Sequence, residues 1–380
     1  MKRKLIAAIV VSLSLLGLTA CGDCHLAHPL FACGDGTVDT RPASVTVDPS
    51  GRFAYVAKEG TDNVSAYTLD ATTGVLTAVA GSPFTAGTRP ASVTVDPSGR
   101  FAYVANLLSN NVSVYTLNAT TGALTPIAGS PFTAGTRPAS VTVDPLGRFA
   151  YVANEFSHNV SAYTLDATTG VLTAVAGSPF TAGTGPTSVT VDPSGRFVYV
   201  ANEDSSNVSA YTIDATTGAL GAVAGSPFTA GTSPASVTVD PLGRFAYVAN
   251  AGPNNVSAYT INASTGALTS VGLAVAAGTG PSSVTVDPSG RFAYVANYGS
   301  HNVSAYTLDA ITGALTTMAG SPFTSGTRPA SVTVDPSGRF AYVANKFSSN
   351  VSAYTIDATT GALTAMAGSP FATWATNPLR

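Results

Sequence analysis

The chain has 380 residues, 45% of them hydrophobic and only 10% charged, with a formal net charge of −3. After the first 20 residues no apolar run approaches the roughly 20 residues that cross a bilayer. The small negative charge excludes general nucleic-acid affinity, and the short alternating apolar stretches suit a β-rich body covered on both faces.

The N-terminus reads as a secretion signal. Lys2, Arg3 and Lys4 precede an apolar stretch, Leu5 to Leu18, too short and wrongly flanked for a spanning helix. Leu18-Thr19-Ala20-Cys21 resembles the lipobox of bacterial lipoproteins. That resemblance implies a signal at 1–20, cleavage before Cys21, lipidation of its thiol and a lipid-anchored protein of the bacterial cell envelope. Gly22, in place of Asp, favours the outer membrane by the same resemblance. Loss of three of the 17 basic residues leaves 14 against 20 acidic ones, a net charge of −6. Cys21-Gly22-Asp23-Cys24-His25 also fits c-type haem attachment. The lipobox takes one of the two thiols, and no haem-enclosing domain follows, so no haem or other cofactor is expected. Cys24 and Cys33 remain available for a disulfide in an oxidising compartment. Residues 21–40 read as a tether and 41–380 as the folded body.

Seven near-copies fill the body, their Asp-Pro turns at Asp48, Asp96, Asp144, Asp192, Asp240, Asp287 and Asp335, 48 residues apart with one step of 47. In the first copy Pro42 to Asp48 alternates Val with Ser and Thr, a strand pattern. Asp48-Pro49-Ser50-Gly51 carries the residues of a type I turn. Phe53 to Ala57 is a second strand and Val64 to Leu69 a third, rich in aromatic and β-branched residues. After the turn Asp70-Ala71-Thr72-Thr73-Gly74, Leu76 to Ala80 make a fourth, and the stretch from Gly81 to Thr88 leads to the next copy. Four antiparallel strands per copy form a propeller blade, and seven blades are an ordinary ring, expected as a monomer. The predicted fold is therefore all-β, a seven-bladed β-propeller. The chain starts on an inner strand and ends on an outer one, which leaves two expectations for ring closure: contact between blades 7 and 1 in place of a shared strand, alone or with residues 22–40 assisting.

Tyr-Val-Ala-Asn, Asn-Val-Ser-Ala-Tyr and Thr-Gly-Ala-Leu resemble the YVTN-type and lactonase-type seven-bladed propellers across all seven copies. The resemblance implies fold more than activity. The Asp and Arg of each Asp-Pro-x-Gly-Arg turn read as hairpin residues. The repeated Asn-Val-Ser reads as loop closure rather than a glycosylation site.

A site must lie where the copies differ. The residue before each blade-opening Pro is Arg41, Arg89, Arg137, Gly185, Ser233, Gly280 or Arg328. On a closed ring the four Arg form one arc over blades 7, 1, 2 and 3. The loop after the second strand varies on the same face. It adds Lys58 where the six other copies have Asn, Leu107 and Leu108, then Glu155, Phe156 and His158. Beyond the arc it carries Glu203 and Asp204, then Tyr298 and His301, and finally Lys346 and Phe347 on blade 7. Arg beside exposed aromatic groups has the composition of binding hot spots. Arg41, Arg89, Arg137, Arg328, Lys58, Lys346, Phe156 and Phe347 are the expected ligand-binding set, for an anionic small molecule, an anionic glycan or an envelope protein.

The alternative is a lactone hydrolase acting in the central funnel. The resemblance implies His, Glu and Arg there, sometimes with a His just after the blade-opening Pro. Here those positions are Ala43, Ala91, Ala139, Thr187, Ala235, Ser282 and Ala330. Arg137, His158 and Glu203 on adjacent blades are the one comparable set, an oxyanion-stabilising Arg with His or Glu to activate water. His158 and His301 stand three blades apart, too far to share a metal. A structural or adhesive module is the third reading.

Overall fold

The computed structural model describes residues 38–373. The signal at 1–20, Cys21, Cys24, Cys33, most of the tether and residues 374–380 lie outside the described residues. The rest is an all-β ring of seven blades with no helix among the described residues.

Blade 1 shows the plan. β1 (Pro42–Val47), β2 (Phe53–Lys58) and β3 (Asn63–Leu69) run antiparallel in order. β2 is buried along its whole length because both its faces meet other blades. The fourth strand is shorter than the alternation implies and comes in two pieces, β4 (Leu76–Ala78) and β5 (Phe84–Thr85), both paired with β3. Between them the chain bulges through Gly81 (φ 83°) and a cis Ser82–Pro83 bond. The bulge strands an amide of β3, and Ser82 answers it, its Oγ accepting from Ala66 N–H at 3.0 Å. The stretch from Gly81 to Thr88 is thus partly strand. Blade 5 lacks Ser-Pro yet keeps the second piece, Val275–Ala276.

Phe, Tyr, Val and Ala of facing blades form one apolar cluster at each of the seven junctions. Rings of hydrogen bonds run round the molecule beside them. The inner strand has a bare edge, and its amide is satisfied by a serine of the preceding blade: Ser44 Oγ accepts from Val93 N–H at 3.3 Å. The series returns to its start with Val45 N–H on Ser331. The second-strand tyrosines donate to the Gly of the next blade's turn, as Tyr55 does to Gly122 O at 3.0 Å. The hairpin arginines lie over their neighbouring Phe and donate to that same turn, as Arg52 does to Ala119 O at 2.8 Å. The Asp of each hairpin is buried, Asp48 Oδ1 accepting from the N–H of Arg52 and Phe53 at 2.8 and 2.7 Å.

Among the described residues no strand is shared between blades 7 and 1. Tyr342 reaches Gly74 O at 2.7 Å and Arg339 reaches Ala71 O, repeating the usual contacts across the seam. Where the other junctions have a covalent linker, the seam has hydrogen bonds. The hydroxyls of Thr40 and Thr373 meet, and Thr40 N–H donates to Ser349 Oγ at 3.1 Å.

Candidate ligand-binding face

The two variable loops of each blade meet at one end of the ring. The loop after β2 donates its first amide to the carbonyl of the residue that opens β1: Glu59 to Arg41 at 3.0 Å, Glu155 to Arg137 and Lys346 to Arg328 at 2.9 Å. Arg41, Arg89, Arg137 and Arg328 therefore share a face. All four adopt left-handed backbone, with φ of 44°, 54°, 56° and 55°.

That conformation is held from the preceding blade. The last loop residue before each blade's third strand is also left-handed, and at five junctions, those of Arg89, Arg137, Gly185, Gly280 and Arg328, its side chain accepts from the amide of the next blade's opening residue. Asp62 accepts from Arg89 at 2.8 Å, Asn110 from Arg137 at 2.9 Å and Asn254 from Gly280 at 2.8 Å. His158 and His301 occupy the same position, each with Nδ1 accepting at 3.1 Å, from Gly185 and from Arg328. An imidazole that accepts at Nδ1 carries its proton on Nε2. In this state His158 acts as a backbone latch for Gly185.

The arc of arginines is not a patch of unanswered charge. Arg41 pairs with Asp39 at 2.7 Å, Arg89 with Glu59 at 3.1 Å and Arg137 with Glu155 at 3.5 Å. Lys346 reaches the same Glu59 carboxylate at 2.8 Å, so this nearly buried group ties blades 7, 1 and 2 together. The mutual repulsion expected of four neighbouring arginines is relieved by these carboxylates. Arg328 differs. Among the described residues it has no ion pair, and its guanidinium lies 4.0 Å from the Phe347 ring centroid and 5.4 Å from that of Tyr298. The two rings meet edge to face, with centroids 6.3 Å apart. An aromatic clamp fixes the cation while leaving its in-plane N–H groups to find acceptors.

Lys58 does not belong to the exposed set. It ends β2 in the fully buried position of the other blades' Asn, is 2% exposed, and donates to Thr373 O at 2.8 Å. Burial pulls its pKa down from 10.5 to about 8. Phe156 is 65% exposed, with the Arg137 guanidinium 6.0 Å from its ring centroid. Across the ring from the clamp, burial pushes the Glu203 carboxyl up, helped by the charges of Asp204 and Glu155. Asp204 packs where a side chain on Gly185 would stand, so the loss of Arg at that blade opening makes its room.

Sequence reasoning grouped the four Arg, Lys346 and Phe347 but missed Glu59 and the Tyr298 side of the clamp. Glu59 follows Lys58 in a varied loop, a visible acid, but its partners come from the two neighbouring blades.

A family model described as "Lactonase, 7-bladed beta-propeller" matches residues 34–227, 222–323 and 321–372. No curated protein matches the sequence. Among solved structures, a candidate 6-phosphogluconolactonase from Bacteroides uniformis superposes with a TM-score of 0.71 at 19% identity, covering 80% of this chain and 91% of that one. The periplasmic gluconolactonase of Pseudomonas aeruginosa gives 0.69 at 21%, covering 82% and 95%. Hydrazine synthase of Kuenenia stuttgartiensis gives 0.66 at 21%, covering 84% and 96%. At these identities the likeness is one of fold.

Proposed function

The chain belongs to the lactonase family of seven-bladed β-propellers, and from that premise we propose that its varied face binds a small, oxygen-rich acid or the corresponding lactone, with Arg328 as the anchor. The observation that carries this reading is the clamp. Arg328 is the one arc arginine without a carboxylate partner among the described residues, and it is already held between Tyr298 and Phe347. A pre-ordered guanidinium loses little entropy when it takes a carboxylate, which it pairs with in a planar, two-pronged geometry. The names of two neighbours, a gluconolactonase and a candidate 6-phosphogluconolactonase, suggest a sugar acid or sugar lactone.

Lactone hydrolysis is the second reading, favoured by Glu203. Its carboxyl is shifted toward the protonated form on a face that also holds cations, a setting suited to proton transfer. Gluconate binding by calorimetry and glucono-δ-lactone turnover by pH-stat test the two together. Arg328→Gln is expected to abolish measurable gluconate binding, whereas Arg196→Gln, on the opposite face, leaves it unchanged. Turnover lost in Glu203→Gln establishes hydrolysis. Neither binding nor turnover with any sugar acid or lactone would return the protein to the class of structural modules.

A further inference from the structure

The anchor is held by a titratable group. Arg328 is left-handed at φ 55°, a backbone state that costs a non-glycine residue of the order of 1 kcal/mol. Its amide is fixed by a single side chain, His301 Nδ1 at 3.1 Å. A neutral imidazole can accept this bond, whereas an imidazolium has N–H on both nitrogens and would turn a donor toward a donor. We propose that His301 is a proton-sensitive positioning residue, which holds the Arg328 anchor as neutral imidazole and releases it as imidazolium. The inference rests on the reading of Arg328 as the anchor.

The repeat supplies its own comparisons. Asn110 and Asn254 do the same work with amide oxygens, at φ of 55° and 57°, close to the 59° of His301. Asparagine therefore fits the His301 backbone and keeps the acceptor while removing the charge change. His158 is built identically but holds Gly185, which has no side chain to anchor a ligand. Among the described residues the charged groups of the elements at this junction are Arg328 itself and Lys346, whose ammonium is taken by Glu59. No carboxylate among the described residues forms an ion pair with His301.

The test has two readouts. In protein labelled with ¹⁵N-arginine, the Arg328 amide resonance is followed from about pH 8 to pH 5, the span in which imidazoles change charge. It should titrate in the wild type and in His158→Asn, and hold still in His301→Asn. Gluconate keeps its carboxylate charge over the same span. Its dissociation constant should rise roughly fivefold toward the acid end in the wild type, the size expected of one lost hydrogen bond, and stay level in His301→Asn. An Arg328 amide that does not titrate, or that titrates equally in His301→Asn, overturns the proposal. If the amide behaves as expected and gluconate does not bind, the latch stands and the ligand assignment falls.

Discussion

Lys58 shows how one exchange can move a residue from a surface role to an interior one. Its side chain occupies the buried strand end of the repeated Asn and spans the seam to Thr373 O. Because its pKa in the folded state lies near 8, below the ordinary 10.5, the unfolded chain holds the proton more tightly between these values. Stability from this residue therefore rises with pH from about 8, as the cost of a buried charge is removed. The buried tyrosines act oppositely, Tyr67 and Tyr306 being pushed up to about 12, so their contribution falls once the unfolded chain ionises above its ordinary value of 10. The informative window is pH 8 to 9.5. Over it the wild type should gain up to about 2 kcal/mol relative to Lys58→Met in urea unfolding, by the 1.36 kcal/mol per pKa unit of linkage. A constant difference between the two proteins across the window would show that the ammonium is not held out of water. Lysine in place of six asparagines was visible in the sequence as an oddity. That it points into the seam was not, because nothing local distinguishes a strand's last buried residue from its first exposed one.

The turns of each blade illustrate two different demands for glycine. Gly99 closes an Asp-Pro hairpin at φ 70°, and an added Cβ there would meet nothing nearer than Pro49 at 3.9 Å. Gly122 has a similar φ of 74°, but its Cβ would lie 2.3 Å from the buried ring of Phe53 in the preceding blade. Gly99→Ala should therefore cost about 1 kcal/mol, the backbone strain alone. Gly122→Ala should cost a further ~1–3 kcal/mol for overpacking. Equal urea midpoints for the two variants would mean that blade packing yields where the structure shows it closed. The strands and both turns were legible from alternation and turn chemistry. The split of the fourth strand was not, since Gly-Ser-Pro-Phe reads as a linker until Ser82 is seen to fill the gap beside Ala66.

At the scale of the molecule, the ring depends on a seam made of side chains. Five junctions place Ala at the position of Thr373, namely Ala86, Ala134, Ala182, Ala230 and Ala277, and a sixth has Ser325. At the seam a threonine donates to Ser349 O at 2.7 Å and meets Thr40, standing in for a peptide chain. Thr373→Ala should lower stability by about 1 kcal/mol, the net worth of a buried hydrogen bond. Amide exchange should quicken first in blades 7 and 1, because repeats contact only their neighbours. Uniform quickening round the ring would show that the seam is no weaker than the rest. The propeller itself could be read from seven copies of one phrase. The pairing on its varied face could not: Glu59 is answered from both sides by residues of other blades, and only ring closure brings Lys346 to it.

The circle of serine-to-amide bonds along the inner strands bears on how such a chain keeps count. Each junction is chemically complete by itself, Ser44 with Val93 being the same pair as Ser331 with Val45. A gene that lost or gained one 48-residue unit by recombination between its copies would still encode the same serine and valine at every junction. The bonds carry no memory of seven; the angle between packed blades sets that number. What would be lost is the neighbourhood of the clamp, since Tyr298, Arg328 and Phe347 come from blades 6 and 7 and Glu59 from blade 1. The shared residues repeat one junction round the ring, and the few unshared ones give each blade an address within it.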